Sequence, residues 1–174
     1  MSDPRLPRFV YFLLLILGLL NWARIYPQLP ARMASHFDAY GTPNGWALKE
    51  MFLVLMFLII AVTAIPTFMV NQLINPNRPE RVNLPNKSYW LAPEHFPQLQ
   101  RFFSAQMAWF GCGVLFVLLY GTTQAINANL PGGHFDSTSM FHVIVAFVLL
   151  AILWTILLIR HFSRIPQSDS HSRP

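Results

Sequence analysis

The sequence has few charged residues and a single cysteine. Charged side chains make up 11% of the 174 residues, whereas soluble domains carry about 25%. Cys112 has no second cysteine with which to form an intramolecular disulfide or a cysteine-based metal site. A nucleotide-binding glycine loop, a zincin helix motif and a serine-nucleophile elbow are also missing. These absences argue against an ordinary soluble enzyme and leave only membrane-bound chemistry open.

Long apolar runs are abundant instead. Apolar residues make up 54% of the chain, and about 20 of them in a row can cross the hydrocarbon core of a bilayer as a helix. Four apolar segments occur, at residues 9–22, 51–70, 102–126 and 140–159, and the first of them is short for a span. They predict an all-α integral membrane protein with one four-helix transmembrane domain over residues 1–165. The polar tail, residues 166–174, is predicted to be disordered.

The basic residues predict the orientation of these helices. With the N-terminus inside, the inner segments hold nine lysines and arginines and the outer loops hold three. This asymmetry favours cytoplasmic N- and C-termini. The basic residues flank apolar runs rather than clustering on a polar helix, so the net charge of +5 does not indicate a nucleic-acid partner. The bilayer is the expected partner.

The loop between the first two apolar segments, residues 26–50, is then extracytoplasmic and predicted to be structured. Pro30 can start a short helix over residues 31–34, and residues 41–45 have the composition of a turn. The loop is either a self-packed cap or a ligand-recognition site. The candidate ligand-binding residues are His36, Asp38, Asn44 and Trp46.

The tripeptide His-Phe-Asp occurs twice in predicted outer loops, at residues 36–38 and 134–136. Imidazole and carboxylate groups are ligands for zinc and other divalent ions. A metal site formed by His36, Asp38, His134 and Asp136 is therefore one hypothesis. A metal held there with an open position could activate water. Chance and packing are the competing explanation, and no other cofactor is expected.

The outer loop also resembles a known family. Residues 29–49, LPARMASHFDAYGTPNGWALK, follow the pattern of domain of unknown function 1648, which forms the N-terminal part of SdpI-type immunity proteins. The resemblance spans roughly residues 11–70. It implies a multi-pass protein of the bacterial plasma membrane. In the best-known members it implies immunity to a secreted peptide toxin and capture of a cytoplasmic regulator.

The loop over residues 71–101 is predicted to be cytoplasmic, and its five prolines exclude a long regular helix. It resembles a second motif found in many proteins with that domain. The residues that match this inner-loop motif are Asn86, Lys87, Tyr89, Trp90 and Glu94. Aromatic and basic side chains together are typical of a segment on the inner membrane surface. A cytoplasmic regulator is the alternative partner for this basic loop.

These observations favour a non-enzymatic binding or immunity-type protein that recognises a partner through its outer loop. Two alternatives stay open. One is a metal-dependent membrane enzyme that uses the paired His-Phe-Asp residues. The other is a small transporter that would work as an oligomer, because four helices leave little room for a pathway in one chain.

Overall fold

The computed structural model describes residues 3–74, 77–78 and 81–165. Five helices, a short 3₁₀ turn at Tyr26–Gln28 and two strands follow one another along the chain. In order, these are α1 (Arg5–Ile25), β1 (Arg32–Phe37), β2 (Pro43–Leu48), α2 (Lys49–Leu73), α3 (Lys87–Trp90), α4 (Phe96–Ala128) and α5 (Ser137–Phe162). The helices α1, α2, α4 and α5 are long and apolar enough to cross a membrane. The predicted four-helix membrane architecture is confirmed at this level. The tail at residues 166–174 lies outside the described residues.

The helix α4 is the longest helix and contacts each of the other three spanning helices. Its 33 residues reach about 50 Å at 1.5 Å per residue, which exceeds the roughly 30 Å of a hydrocarbon core. It begins six residues before the predicted apolar segment, so that Arg101 lies inside the helix. Pro97 occupies its first turn, where a missing backbone N–H costs little. The helix α4 therefore extends beyond the hydrocarbon core, and its ends can contact other parts of the chain there.

The core of the bundle lies between α1, α2 and α4. Tyr11, Ile60 and Leu115 are buried there, one from each helix. No buried residue of this core comes from α5 within the described part of the chain. The most apolar stretch of α5 has no buried residue at all. The first three spanning helices thus form a compact unit, and α5 packs on the outside of α4.

Small residues on α4 allow its close approach to neighbouring helices. Ala105 and Ala108 are fully buried. At Gly111 an added Cβ atom would meet the buried side chain of Thr67 on α2. Cys112 is buried beside them, and its thiol donates to the carbonyl oxygen of Pro7. Its role is therefore one of packing. Pro66 lies within α2 and does not end it.

The predicted short helix over residues 31–34 is wrong. Residues 32–34 belong to β1, which pairs antiparallel with β2 in a two-stranded hairpin. The helix was predicted from Pro30, which can begin a helix but is equally compatible with an extended entry to a strand. The fold is consequently mostly helical with one small β-hairpin (called the hairpin below), rather than purely helical.

Candidate functional site

The turn of the hairpin is organised by Asp38. Its carboxylate accepts hydrogen bonds from the backbone N–H groups of Tyr40 and Thr42, each at 2.9 Å. Gly41 has φ +81°, a conformation that glycine adopts without steric cost. The carboxylate of Asp38 therefore shapes the turn, which is the usual role of aspartate at such a position.

One edge of the hairpin is fastened to the end of α4 by Asn129. The side-chain oxygen of Asn129 accepts from the Ala34 backbone N–H at 2.7 Å, and its amide donates to the Ala34 carbonyl at 2.9 Å. The same amide nitrogen also contacts the Ala125 carbonyl at 2.7 Å. Asn129 thus satisfies both backbone groups of a buried strand residue, as a third strand would.

A second attachment joins the hairpin to the loop between α4 and α5. The rings of Phe37 and Phe135 are stacked with centroids 4.4 Å apart. Gly41 comes so close to the carbonyl of Phe135 that an added Cβ atom would lie 2.5 Å from its oxygen. The repeated His-Phe-Asp tripeptides therefore do meet in space, and their phenylalanines make the contact.

The opposite side of the hairpin is exposed. His36 on β1 is hydrogen-bonded through Nδ1 to the side chain of Asn44 on β2. Trp46 lies two residues beyond Asn44 on the same strand, and 54% of Trp46 is accessible. Gly45 leaves room for His36, because an added Cβ atom would lie 3.0 Å from that of the histidine. His36, Asn44 and Trp46 together are called the exposed face below.

The base of the hairpin is closed by residues at its two ends. The Lys49 ammonium lies 4.5 Å from the centre of the Tyr26 ring, and the Tyr26 hydroxyl donates to Glu50 at 3.3 Å. The Lys49 backbone N–H also donates to the Ala31 carbonyl. Together with Asn129 and Phe135, these contacts fix the hairpin at its base, its edge and its turn.

The four residues of the metal hypothesis have separate partners. Asp38 binds the backbone of its own turn, and Asp136 accepts from Ser139 N–H at the start of α5. His36 contacts Asn44 in its own hairpin, whereas His134 is exposed on the neighbouring loop. Over residues 3–74, 77–78 and 81–165, no group of three or more His, Cys, Asp or Glu side chains is placed to hold an ion. The metal hypothesis stays a prediction, and elemental analysis of the purified protein tests it.

The inner-loop motif lies at the other end of α4. Trp90 Nε1 donates to the Phe162 carbonyl at 3.1 Å, and Asn86 Nδ2 donates to the same oxygen at 3.0 Å. That carbonyl is at the end of α5, where a helix leaves acceptors without partners of its own. Asn86 has φ +51°, which asparagine tolerates better than most residues. Asn86 and Trp90 therefore cap α5 from outside.

Aromatic packing surrounds this cap. Trp90 is 2% exposed and meets the Phe162 ring edge to face at 5.3 Å. His161 stacks on Phe102 of α4 at 4.2 Å. We call Asn86, Trp90, Phe102, His161 and Phe162 the aromatic clamp.

The rest of the inner-loop motif is divided between core and surface. Tyr89 is buried and stacks on His95 at 3.9 Å. Lys87 and Glu94 have exposed side chains. Because Tyr89 and Trp90 are part of the packed structure, a docking regulator could reach only the exposed members of this motif.

The roles of two structurally important residues, Asn129 and Phe162, could not be predicted from the sequence. Asn129 follows an apolar segment, and its position in the sequence indicates only the end of a helix. Phe162 matters through its backbone oxygen, which any residue possesses. Only the pairing of Ala34 with Asn129, 95 residues apart, reveals what the first of them does.

Comparison with known families agrees with the resemblance in the outer loop. Residues 13–62 match the family model of a domain of unknown function (DUF1648). The match covers most of α1, the whole hairpin and the first half of α2. No curated protein and no solved structure matches the chain.

Proposed function

Because the chain carries DUF1648 and four helices able to cross a membrane, we propose that it is a non-enzymatic immunity protein of the bacterial plasma membrane. Its hairpin lies on the extracytoplasmic side and binds a secreted, membrane-active peptide toxin. Both termini lie in the cytoplasm. The observation that carries this proposal is a hairpin fixed along one side and open on the other.

The attachment of the hairpin favours binding. A segment held by Asn129, Phe135 and Lys49 has lost most of its freedom before a ligand arrives. Ordering a loop on binding costs free energy, so prior fixation leaves more of the contact energy for affinity. The exposed face, which combines an accessible tryptophan with polar side chains, gives this fixed segment a surface for a partner.

The chemistry of the exposed face suits a peptide. Trp46 offers a large apolar surface, while His36 and Asn44 supply polar groups beside it. Tryptophan and tyrosine are enriched among residues that dominate protein interfaces, and Tyr40 at the turn is 89% exposed. Since Trp46 and Leu48 lie just before α2, an amphipathic peptide lying on the outer membrane surface would meet them directly.

The proposed function predicts that Trp46→Ala and His36→Ala sensitise cells to the toxin. Truncating a dominant interface residue weakens binding by about 2 kcal/mol or more, which is roughly 30-fold. Cells producing each variant are challenged with a panel of secreted peptide toxins, and the inhibitory concentration is measured. Membrane fractions are immunoblotted to show that each variant is inserted at the wild-type level.

Matched controls are available for both substitutions. Trp109→Ala removes a partly exposed tryptophan from α4, and His134→Ala removes the histidine of the other tripeptide. Both controls should protect as the wild type does. The immunity proposal fails if the wild-type protein protects against no member of the panel, or if the Trp46 and His36 variants protect fully.

The proposed orientation has its own test. In a Cys112→Ala background, Tyr40→Cys places a thiol at the turn of the hairpin, and Ser163→Cys places one just after α5. A membrane-impermeant maleimide applied to intact cells should label the first and not the second, because the basic residues favour the α5 end inside. After permeabilisation both should be labelled. Labelling of Ser163→Cys in intact cells would reverse the orientation and remove the toxin-facing hairpin.

A further inference from the structure

A cavity of about 630 Å³ opens at the clamp end of the bundle, far from the hairpin. It lies between the end of α5 and the first turn of α4. Arg160, His161 and Arg164 line it together with Gln98. In the described part of the chain, no carboxylate lines this cavity. Its chemistry is therefore that of a site for an anion.

The position of the cavity along α5 suggests the kind of anion. Arg160 lies in the last turn of a spanning helix, and Arg164 follows that helix at the level expected for lipid headgroups. Leu157 also lines the cavity, about one turn deeper. Beyond it, the membrane-facing surface of α5 stays apolar and exposed through Leu153 and Leu149. A ligand with a charged head and an acyl chain would contact both regions at once.

The floor of the cavity is preorganised by the aromatic clamp. Trp90 lines it while its indole N–H is bound to the Phe162 carbonyl. His161 lies between the rings of Trp90 and Phe102, with centroids 5.7 and 4.2 Å away. The backbone that carries both arginines is thereby fixed. Two positive charges are therefore held beside the cavity, where they can form charge-assisted hydrogen bonds with a phosphate group.

We propose that this cavity binds the phosphate headgroup of an anionic phospholipid, with the acyl chains lying along α5 from Leu157 outward. The occupant is a lipid rather than free phosphate, because a free ion would leave the adjoining apolar wall without a partner. The site is independent of the proposed toxin-binding function and lies at the other end of the molecule.

The test measures binding of fluorescent phosphatidylglycerol to the full chain in micelles of an uncharged detergent. The double variant Arg160→Gln/Arg164→Gln should bind about 30-fold more weakly than the wild type. This factor comes from the loss of about 1 kcal/mol for each of two arginines near a membrane surface. The control Arg24→Gln/Arg32→Gln removes the same charge at the hairpin end and should bind normally. Arg160→Lys/Arg164→Lys keeps the charge and should retain most of the affinity.

Further arms identify the source of the phosphate. Fluorescent phosphatidylcholine should bind weakly, and neither inorganic phosphate nor the deacylated headgroup in excess should displace phosphatidylglycerol. Binding to the wild type should also fall as salt is raised, which needs no variant to fold. Equal binding of both lipids, displacement by inorganic phosphate, insensitivity to salt, or wild-type affinity in the glutamine variant would each overturn the proposal.

Discussion

Replacing Trp90 with alanine is expected to lower the free energy of unfolding by about 3–5 kcal/mol, the usual cost of truncating a buried large aromatic residue. Trp90 is 2% exposed and contacts Phe162 both through its ring and through its indole N–H. Its loss leaves a cavity between α3, α4 and α5 and removes one of two donors from the end of α5. Unfolding of the purified protein by SDS titration in detergent measures the change.

Two further variants separate the causes. Trp90→Phe keeps a buried aromatic ring but removes the N–H donor and part of the indole. It should cost less than Trp90→Ala, with about 0.5–1.5 kcal/mol of the loss coming from the hydrogen bond. Trp109→Ala truncates a tryptophan that is 39% exposed on α4 and should cost about 1 kcal/mol or less. Equal destabilisation by the Trp90 and Trp109 alanine variants would show that the clamp does not hold α5 as described.

The second large effect is expected at Asn129. Asn129→Ala leaves the N–H and C=O of Ala34 without the two hydrogen bonds that now satisfy them. An unsatisfied buried group costs about 1–3 kcal/mol, so opening of the hairpin should become easier by roughly two orders of magnitude. Hydrogen exchange of the β1 and β2 amides, followed by mass spectrometry, reports this local opening.

Residues of similar chemistry provide the comparison. Asn127→Ala removes an exposed asparagine from the same end of α4 and should leave hairpin exchange unchanged. Asn129→Asp can still accept from Ala34 but cannot donate to its carbonyl, and should give an intermediate rate. Unchanged exchange in Asn129→Ala would mean that the contacts at the turn and at the base fix the hairpin without Asn129.

The helical frame could be predicted because apolar runs of sufficient length have few alternatives in lipid. The residues at which the helices begin and end are harder to predict from the sequence. Arg101 and Pro97 look like the boundary of a span, yet both lie within α4. A helix that continues into the headgroup region can carry a basic side chain at little cost. Sequence hydropathy locates the membrane, whereas hydrogen bonding sets where a helix ends.

The hairpin shows the limit of local sequence signals. Residues 32–37, RMASHF, contain no β-branched side chain, and such residues favour strands. Strand pairing with β2 and the hydrogen bonds from Asn129 determine the conformation instead. In the exposed face, His36 is hydrogen-bonded to Asn44, and Trp46 is exposed on the same strand as Asn44. Their role in ligand binding stays a prediction. Asp38 is predicted beside them as a binding residue, and its carboxylate also accepts two hydrogen bonds from the turn.

The sequence left two explanations open for the repeated tripeptide, an ion site and packing. The sequence suggested pairing of histidines and aspartates around an ion. In the structure, Phe37 stacks on Phe135, and each aspartate organises the segment that follows it. Asp38 closes a turn and Asp136 caps α5. The phenylalanines thus join the two loops, and each aspartate stabilises the local structure that follows it.

The separation of α5 from the buried core has a consequence for synthesis in the cell. The three helices that share the core, together with the hairpin, are all complete by residue 128. They can pack while the last span is still inside the ribosome, because protein segments fold as they emerge. When α5 then enters the bilayer, Asp136 is ready to start it and Asn86 and Trp90 are ready to receive its final carbonyl. The groups that cap both ends of α5 are therefore in place before α5 packs against α4.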